Sequence, residues 1–254
     1  MNNRLLLLGG ENPTTWMVYN ELMARFGQFP AIIEQPVPRA RLVKLRIRKL
    51  GLGRALSQIG FVLLVRPVLN RWSALRLRFL RRKLGLEPLP PQSAAIAHVT
   101  SVNGSDCHAL IARLKPDVVI VNGTRILSRK TLAALGATVI NTHQGITPGY
   151  RGAHGAYWAK VKNDMEHCGV TIHLVDEGID TGNIIAQARI APETEDCFVT
   201  YPYLQTAAAL EPLGDAVAQA LQGRLESKPI SGASAVWSHP GFFEYLGHAM
   251  QGAR

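Results

Sequence analysis

Cysteine is scarce in this chain of 254 residues. Its three examples, Cys107, Cys168 and Cys197, are an odd number without metal-ligand spacing. That argues against a disulfide framework and for a reducing compartment. No apolar run approaches the roughly 20 residues that a membrane-spanning helix needs. The early RLLLLGG is broken too soon for the apolar segment of a signal peptide. Phosphate-cradling loops are missing too, since GGENPTTW (residues 9–16) matches neither GxGxxG nor a Walker loop. DEGIDTG (176–182) has carboxylates at the first and fifth positions of a calcium loop, but Thr181 and Gln187 stand where that loop needs Gly and Glu. No metal is expected, and the expected location is the cytoplasm.

The sharpest absence is of acids. From Arg39 to Lys83 there are 14 Lys and Arg residues and no Asp or Glu. The other 14 basic residues face 18 acidic ones, so the net charge of +10 describes a mildly acidic body carrying one basic segment. That segment mixes its cations with Leu, Ile, Trp and Phe and is interrupted by Gly51, Gly53 and Pro67. Basic amphipathic helices of this kind suit an anionic membrane surface, where each nearby charge contributes about 1 kcal/mol. Peripheral contact at the inner face of the membrane through residues 39–83 is therefore one expectation. A solvated helical pair packed on the body is the plainer one. Nucleic acid is the least expected partner, and oligomeric state is not legible.

Short apolar strands alternate with amphipathic helices along the rest of the chain. RLLLL (4–8), AIIE (31–34), AAIAHV (94–99), DVVIV (117–121), TVINTH (138–143), GVTIHLV (169–175) and NIIAQARI (183–190) read as strands. Helices are expected after TT at 14–15, at 105–114, at 128–136 with Ser128 and Gly136 as its caps, and at 199–223. This alternation predicts an α/β, Rossmann-like, mostly parallel sheet flanked by helices, whose ligands gather beyond the carboxyl ends of the strands. One domain is expected over 1–224, with a basic helical insertion at 38–86, followed by a C-terminal tail at 225–254.

One such strand end reads VINTHQGITPGYRGAHGAYW (139–158). Asn141 and His143 lie two apart, before a stiff Pro/Gly turn. The loop 176–182 adds Asp176, Glu177 and Asp180 after a strand that carries His173. An amide, an imidazole and a carboxylate at neighbouring strand ends suit acyl transfer. The amide and a protonated imidazole would bind a developing oxyanion, and the carboxylate would orient the ring or relay a proton. Cys168 reads as a small buried thiol rather than a nucleophile.

From about Lys115 to Ile190 the chain resembles the folate-dependent formyltransferases. These include phosphoribosylglycinamide formyltransferase, the catalytic domain of methionyl-tRNA formyltransferase and the nucleotide-sugar N-formyltransferases. GTRILSRKTLAALGATVINTH, P-x-Y-R-G and GVTIHLVDEGIDTG carry the likeness in the family's order. It implies catalytic roles for Asn141, His143 and Asp180, with His173 near the Asp. It implies a folate site at Arg125, Ile126, Leu127, Leu132, Asp176, Glu177, Gly178 and Ile179, with 10-formyltetrahydrofolate as donor. Acceptor contacts are implied at Gly9, Gly10, Asn12, Tyr150, Arg151, Gly152, His154 and His173, with a primary amine as acceptor. The loop GGENPTTW departs from the phosphate-gripping pattern of the purine enzyme, and few residues follow the last helix to build an RNA-binding domain. A nucleotide-linked amino sugar is the expected acceptor. Phosphoribosylglycinamide, or a non-catalytic module of this fold binding membrane or RNA, are the alternatives.

Overall fold

The computed structural model of the protein describes residues 4–92 and 95–253. Five strands run parallel in the spatial order β3-β2-β1-β4-β5. They are β1 (Leu5–Gly10), β2 (Ala31–Glu34), β3 (Ile96–Val99), β4 (Val118–Asn122) and β5 (Thr138–His143). Residue 94, expected to open the third strand, lies outside the described residues. Beyond β5 come β6 (Arg151–Gly152), outside this sheet, and then β7 (Gly169–Leu174) and β8 (Ile184–Arg189) at the sheet's edge. Both of the last two run antiparallel to their neighbours. The connection 175–183 is too short for the crossover of a dozen or more residues that a parallel return would need.

β1, β2 and β4 are buried at every position, as strands covered on both faces must be. Leu5, Leu7, Ile33 and Ile120 meet Trp16 and Tyr19 of α1 (Pro13–Phe26) and Leu213 and Val217 of α9 (Tyr201–Leu221). Leu6, Leu8, Ile32 and Val119 point the other way, to Cys107 and Ile111 of α6 (Ser105–Leu114) and Leu135 of α7 (Arg129–Leu135). The Asn12 side chain caps α1 by accepting from the Thr15 N–H, and Ser128 caps α7 through Thr131. The sheet's direction of winding reverses between β1 and β4, and a cleft opens there beyond the carboxyl ends of β1, β4 and β5.

The basic insertion is more than a helical pair. It forms α2 (Arg39–Leu50), α3 (Leu52–Gly60), a π-helical turn at Phe61–Val65, α4 (Arg66–Trp72) and α5 (Ala74–Lys83). Leu52–Trp72 is one continuous helical stretch of 21 residues, long and apolar enough by length and composition to cross a membrane. The sequence expectation of no such stretch is corrected here. Arg54, Gln58, Arg66 and Asn70 break the apolar run without breaking the helix. Most of its surface is exposed, but Phe61 is fully buried against Phe198 and Tyr245.

Residues 225–253 return over this insertion. β9 (Val236–Trp237) pairs with β6, and α8 (Gly155–Val161) lies beneath it, with the Trp158 indole donating to the Ser238 carbonyl. Within α10 (Phe242–Met250), the Phe242 N–H donates to Ser57 Oγ of α3.

One cation in the basic segment has a structural partner of its own. The Arg76 guanidinium grips Asp196 with two hydrogen bonds of 2.9 and 2.8 Å and reaches Glu193 at 3.1 Å. The Asp196 side chain is fully buried. Its burial opposes ionisation, but Arg76 and the Glu193 N–H overbalance that and hold the carboxyl below its ordinary range. The pair's contribution is thus present at neutral pH and lost as pH falls through that lowered value. We expect Arg76→Gln to cost about 3–5 kcal/mol in urea unfolding, because it strands a buried charge. Arg76→Met with Asp196→Leu should recover most of that loss. A single variant as stable as the parent would show that the pair does not fasten the insertion.

Candidate active site

The two-residue spacing puts Asn141 and His143 on one face of β5. Register then sets Asn141 opposite His173 on β7. His173 Nδ1–H donates to the Leu174 carbonyl (2.7 Å), leaving Nε2 to accept from Asn141 Nδ2 at 3.0 Å. This bond orients the amide and uses one of its two N–H groups.

His143 is nearly buried. Its Nε2–H donates to the Tyr150 carbonyl at 2.7 Å, and Nδ1 faces Asp180 Oδ2 at 3.3 Å. Gly145 permits this approach, because an added Cβ would stand 2.1 Å from the Tyr150 carbonyl oxygen and 2.7 Å from His143 Nε2. Buried Thr171 fixes the same loop. Its hydroxyl donates to the Gly145 carbonyl (2.8 Å) and accepts the Thr147 N–H (3.0 Å).

Asp180 sits in left-handed backbone (φ 51°), a conformation that Asp tolerates better than most residues. Its carboxylate accepts the Gly152 N–H at 2.9 Å and lies 3.6 Å from His173 Nε2. Burial raises its pKa, but His173, His143 and the Gly152 N–H together bring it below the ordinary range. For His143 burial wins and lowers the pKa, against the opposing pull of Asp180. The protonated imidazole expected from sequence is therefore not the resting form. With Nε2–H committed to a carbonyl, the neutral ring turns a lone pair toward a carboxylate, and the pair is short of one proton.

The cleft measures about 910 Å³, near the upper end of ordinary ligand sites. Arg125, Ile126, Leu127, Asp176, Gly178 and Ile179 line it, as do Asn12, Gly152, His154 and His173. Glu34 holds the strap 123–127 by accepting the Arg125 N–H and pairing with its guanidinium. Asn103 takes up the Ile126 carbonyl, whereas the Leu127 N–H and carbonyl have no protein partner among the described residues.

Six expected contacts are placed elsewhere. Leu132 packs into the apolar layer under α7, and Glu177 faces outward to Arg129. Gly9 and Gly10 are buried where α1 and the loop after β4 press on β1. Tyr150 offers its carbonyl rather than its ring, which stacks on Trp237. Arg151 braces the loop after β7 by donating to the Ile179 carbonyl. Sequence reasoning missed Asn122, Arg66, Asn70, Phe198 and His239, which also line the cleft. Of these only Asn122, at the end of a strand pattern, carried a local signal. Cys168 is buried with its thiol pKa pushed up to about 11, so it is no nucleophile.

Residues 89–201 match the family model described as Formyl transferase. The matched segment resembles the formyltransferases and contains Asn141, His143 and Asp180. A methionyl-tRNA formyltransferase from Chlorobium chlorochromatii is 36% identical over 115 residues, covering 42% of this chain. The match spans 36% of that relative's length. An N-formyltransferase from Helicobacter canadensis, in a structure titled as a complex with folinic acid and dTDP-3-aminofucose, superposes with a TM-score of 0.56 at 14% identity. That alignment covers 92% of this chain and 70% of that one. A phosphoribosylglycinamide formyltransferase from Anaplasma phagocytophilum superposes at 0.56 with 16% identity, covering 93% and 97%. At these identities the two structures establish the shared fold.

The site's proton balance is directly measurable. In an NMR titration, His143 should protonate below the ordinary histidine value, and Asp180→Asn should move its midpoint lower still by removing the anion that favours the charged ring. A midpoint left in place or raised would show that the carboxylate does not act on His143.

Proposed function

We propose that this protein moves a formyl group from 10-formyltetrahydrofolate to a primary amine. The convergence of Asn141, His143 and Asp180 in one cleft carries the reading. When bound, the donor supplies an activated formyl group. The unengaged Leu127 backbone groups, with apolar Val121, Leu127 and Val175 in the lining, fit a flat polar ring edged by donors and acceptors. Arg125, Gly178 and Ile179 would frame it.

Asn141 has one N–H left after binding His173, and we assign it to the oxygen on which negative charge develops. The neutral His143 and ionised Asp180 take the proton that the attacking amine gives up, then return it to the departing nitrogen. Tyr150 keeps the ring oriented throughout by accepting at Nε2. Asn141→Ala and His143→Ala should each lower turnover by about 10²–10³-fold. Because the proton acceptor must be unprotonated, the rate should be level near neutral pH and fall only below the ordinary histidine pKa. Asp180→Asn should lower the plateau and carry that acid limb to lower pH. Turnover within threefold of the parent in either alanine variant would remove the assignment.

For the acceptor we favour a nucleotide-linked amino sugar. The altered loop after β1 and the Helicobacter complex support it. The tRNA-directed reading draws support only from relatives of which this chain spans about a third.

The basic segment adds a location, contact with an anionic membrane. Leu63, Leu64, Val68, Trp72 and Leu75 are exposed on α4, α5 and the turn before them, and Trp72 is 77% exposed. Arg71, Arg78, Arg81 and Arg82 flank this row, with no acid between residues 39 and 83. Apolar side chains rimmed by cations match the interface of an anionic bilayer. In sedimentation with vesicles containing phosphatidylglycerol, the parent should bind at low salt and detach as salt screens its charges. Trp72→Ser with Leu63→Ser should abolish the binding. A parent that ignores such vesicles, or uses this face to dimerise, would overturn the idea. Arg76 is no part of this test, because it holds Asp196.

A further inference from the structure

The cleft has a second polar corner besides the Asn141–His143–Asp180 cluster. His154 Nε2 and His239 Nδ1 lie 2.9 Å apart, and the His154 ring packs on Phe198 at 4.4 Å. His154 is held in left-handed backbone (φ 62°), which a side chain of this size adopts only where its surroundings impose it. The surroundings come from three parts of the chain. Gln58 of α3 donates to the His239 carbonyl at 2.7 Å, and α4 brings Arg66 and Asn70 into the same lining.

This corner is electropositive and uncompensated. Arg66 and Arg46 act on the histidine pair, and with burial, the largest influence, they hold both rings neutral, His239 at about 4. Neither arginine has an ion pair or hydrogen-bond partner among the described residues. The cleft's two carboxylates, Asp176 and Asp180 on the loop after β7, are already engaged. Asp180 is held by two histidines and Gly152, and Asp176 by Thr181 and the Gly178 N–H. A cation at a cleft wall without a counter-ion focuses a positive potential on whatever enters. A guanidinium presents paired N–H donors that match the oxygens of a phosphate.

We propose that the insertion builds a phosphate subsite at Arg66, Asn70, His154 and His239, which holds a phosphate ester carried by the amine acceptor. That the ligand is the acceptor rests on the formyl-transfer reading. The subsite itself does not. The phosphate comes either from a soluble nucleotide or from a lipid headgroup, since the helices that line this corner also expose the apolar row.

Calorimetric titration of the full chain with pyrophosphate tests the subsite, and tetrahydrofolate is titrated in parallel. Arg66→Gln should weaken pyrophosphate about 10-fold or more, the loss expected for one charge-assisted hydrogen bond. Tetrahydrofolate affinity should stay within twofold. Arg129→Gln, which removes a cation outside the cleft, should change neither. Equal pyrophosphate affinity in the parent and Arg66→Gln would overturn the proposal. So would an equal loss in Arg129→Gln, or a matching loss for tetrahydrofolate, which would give the corner to the donor. Competition by UDP identifies a soluble source, and competition only by vesicles containing phosphatidic acid identifies a lipid one. If the parent binds pyrophosphate but not tetrahydrofolate, the formyl-transfer reading fails and the subsite stands.

Discussion

The Asp180 carboxylate is the constraint on which the site's geometry depends. It touches two histidines from two strands and the backbone of a third segment, so its position ties β5, β7 and β6 together. The Gly152 N–H donates to the ion and the two rings favour it through their own affinity for the proton, and that is why a largely buried acid stays charged. The same charge keeps His143 from losing all affinity for a proton in a setting whose burial works the other way. A carboxylate lacking these partners would neutralise itself by raising its pKa. The imidazole would then be an inert neutral ring. The chemistry assigned here needs this balance, because a base must accept a proton and then give it up.

The insertion reaches the same cleft by different physics. Its 14 cations are not interchangeable. Arg76 is a fastener, buried against Asp196 beside a Ser73–Cys197 contact of 3.2 Å. Arg66 stands in the cleft wall, Arg81 is half-buried, and Arg78 and Arg82 face solvent. A charge count treats all of these as one electrostatic face. Burial separates them into anchor, lining and rim.

The sheet was legible in the sequence because its central strands are continuous apolar runs, and the caps of α7 because Ser128 and Gly136 are local signals. Asn141 and His143 were legible for the same reason, since a spacing of two on a strand decides which side chains share a face. What escaped is long-range. His173 meets Asn141 only through antiparallel register, and His239 meets His154 across 85 residues. The continuous helix from Leu52 to Trp72 was hidden by polar interruptions. Pattern reading counts those against an apolar run, and a helix simply turns them to one side. Glu177 and Leu132 were misplaced because a loop or helix alternates between cleft and exterior within one residue, finer than a motif resolves.

Two non-glycine residues in left-handed backbone, His154 and Asp180, line this cleft. Each such conformation costs on the order of 1 kcal/mol or more, and persists where neighbours over-determine it. Asp180 is over-determined by its three partners. His154 is over-determined by His239, Phe198 and the first turn of α8, into which its own carbonyl accepts the Trp158 N–H. The strain therefore coincides with the two places where a polar side chain must be aimed into the cleft from a turn. His239 sits on the segment that Gln58 clamps, and Arg66 follows in the same helical stretch. Displacing the insertion would thus release His154 and withdraw Arg66 together. On the proposed subsite, acceptor binding and the seating of the insertion are therefore coupled, whereas the Asn141–His173–Asp180 cluster takes its bonds from β5, β7 and Gly152 of β6.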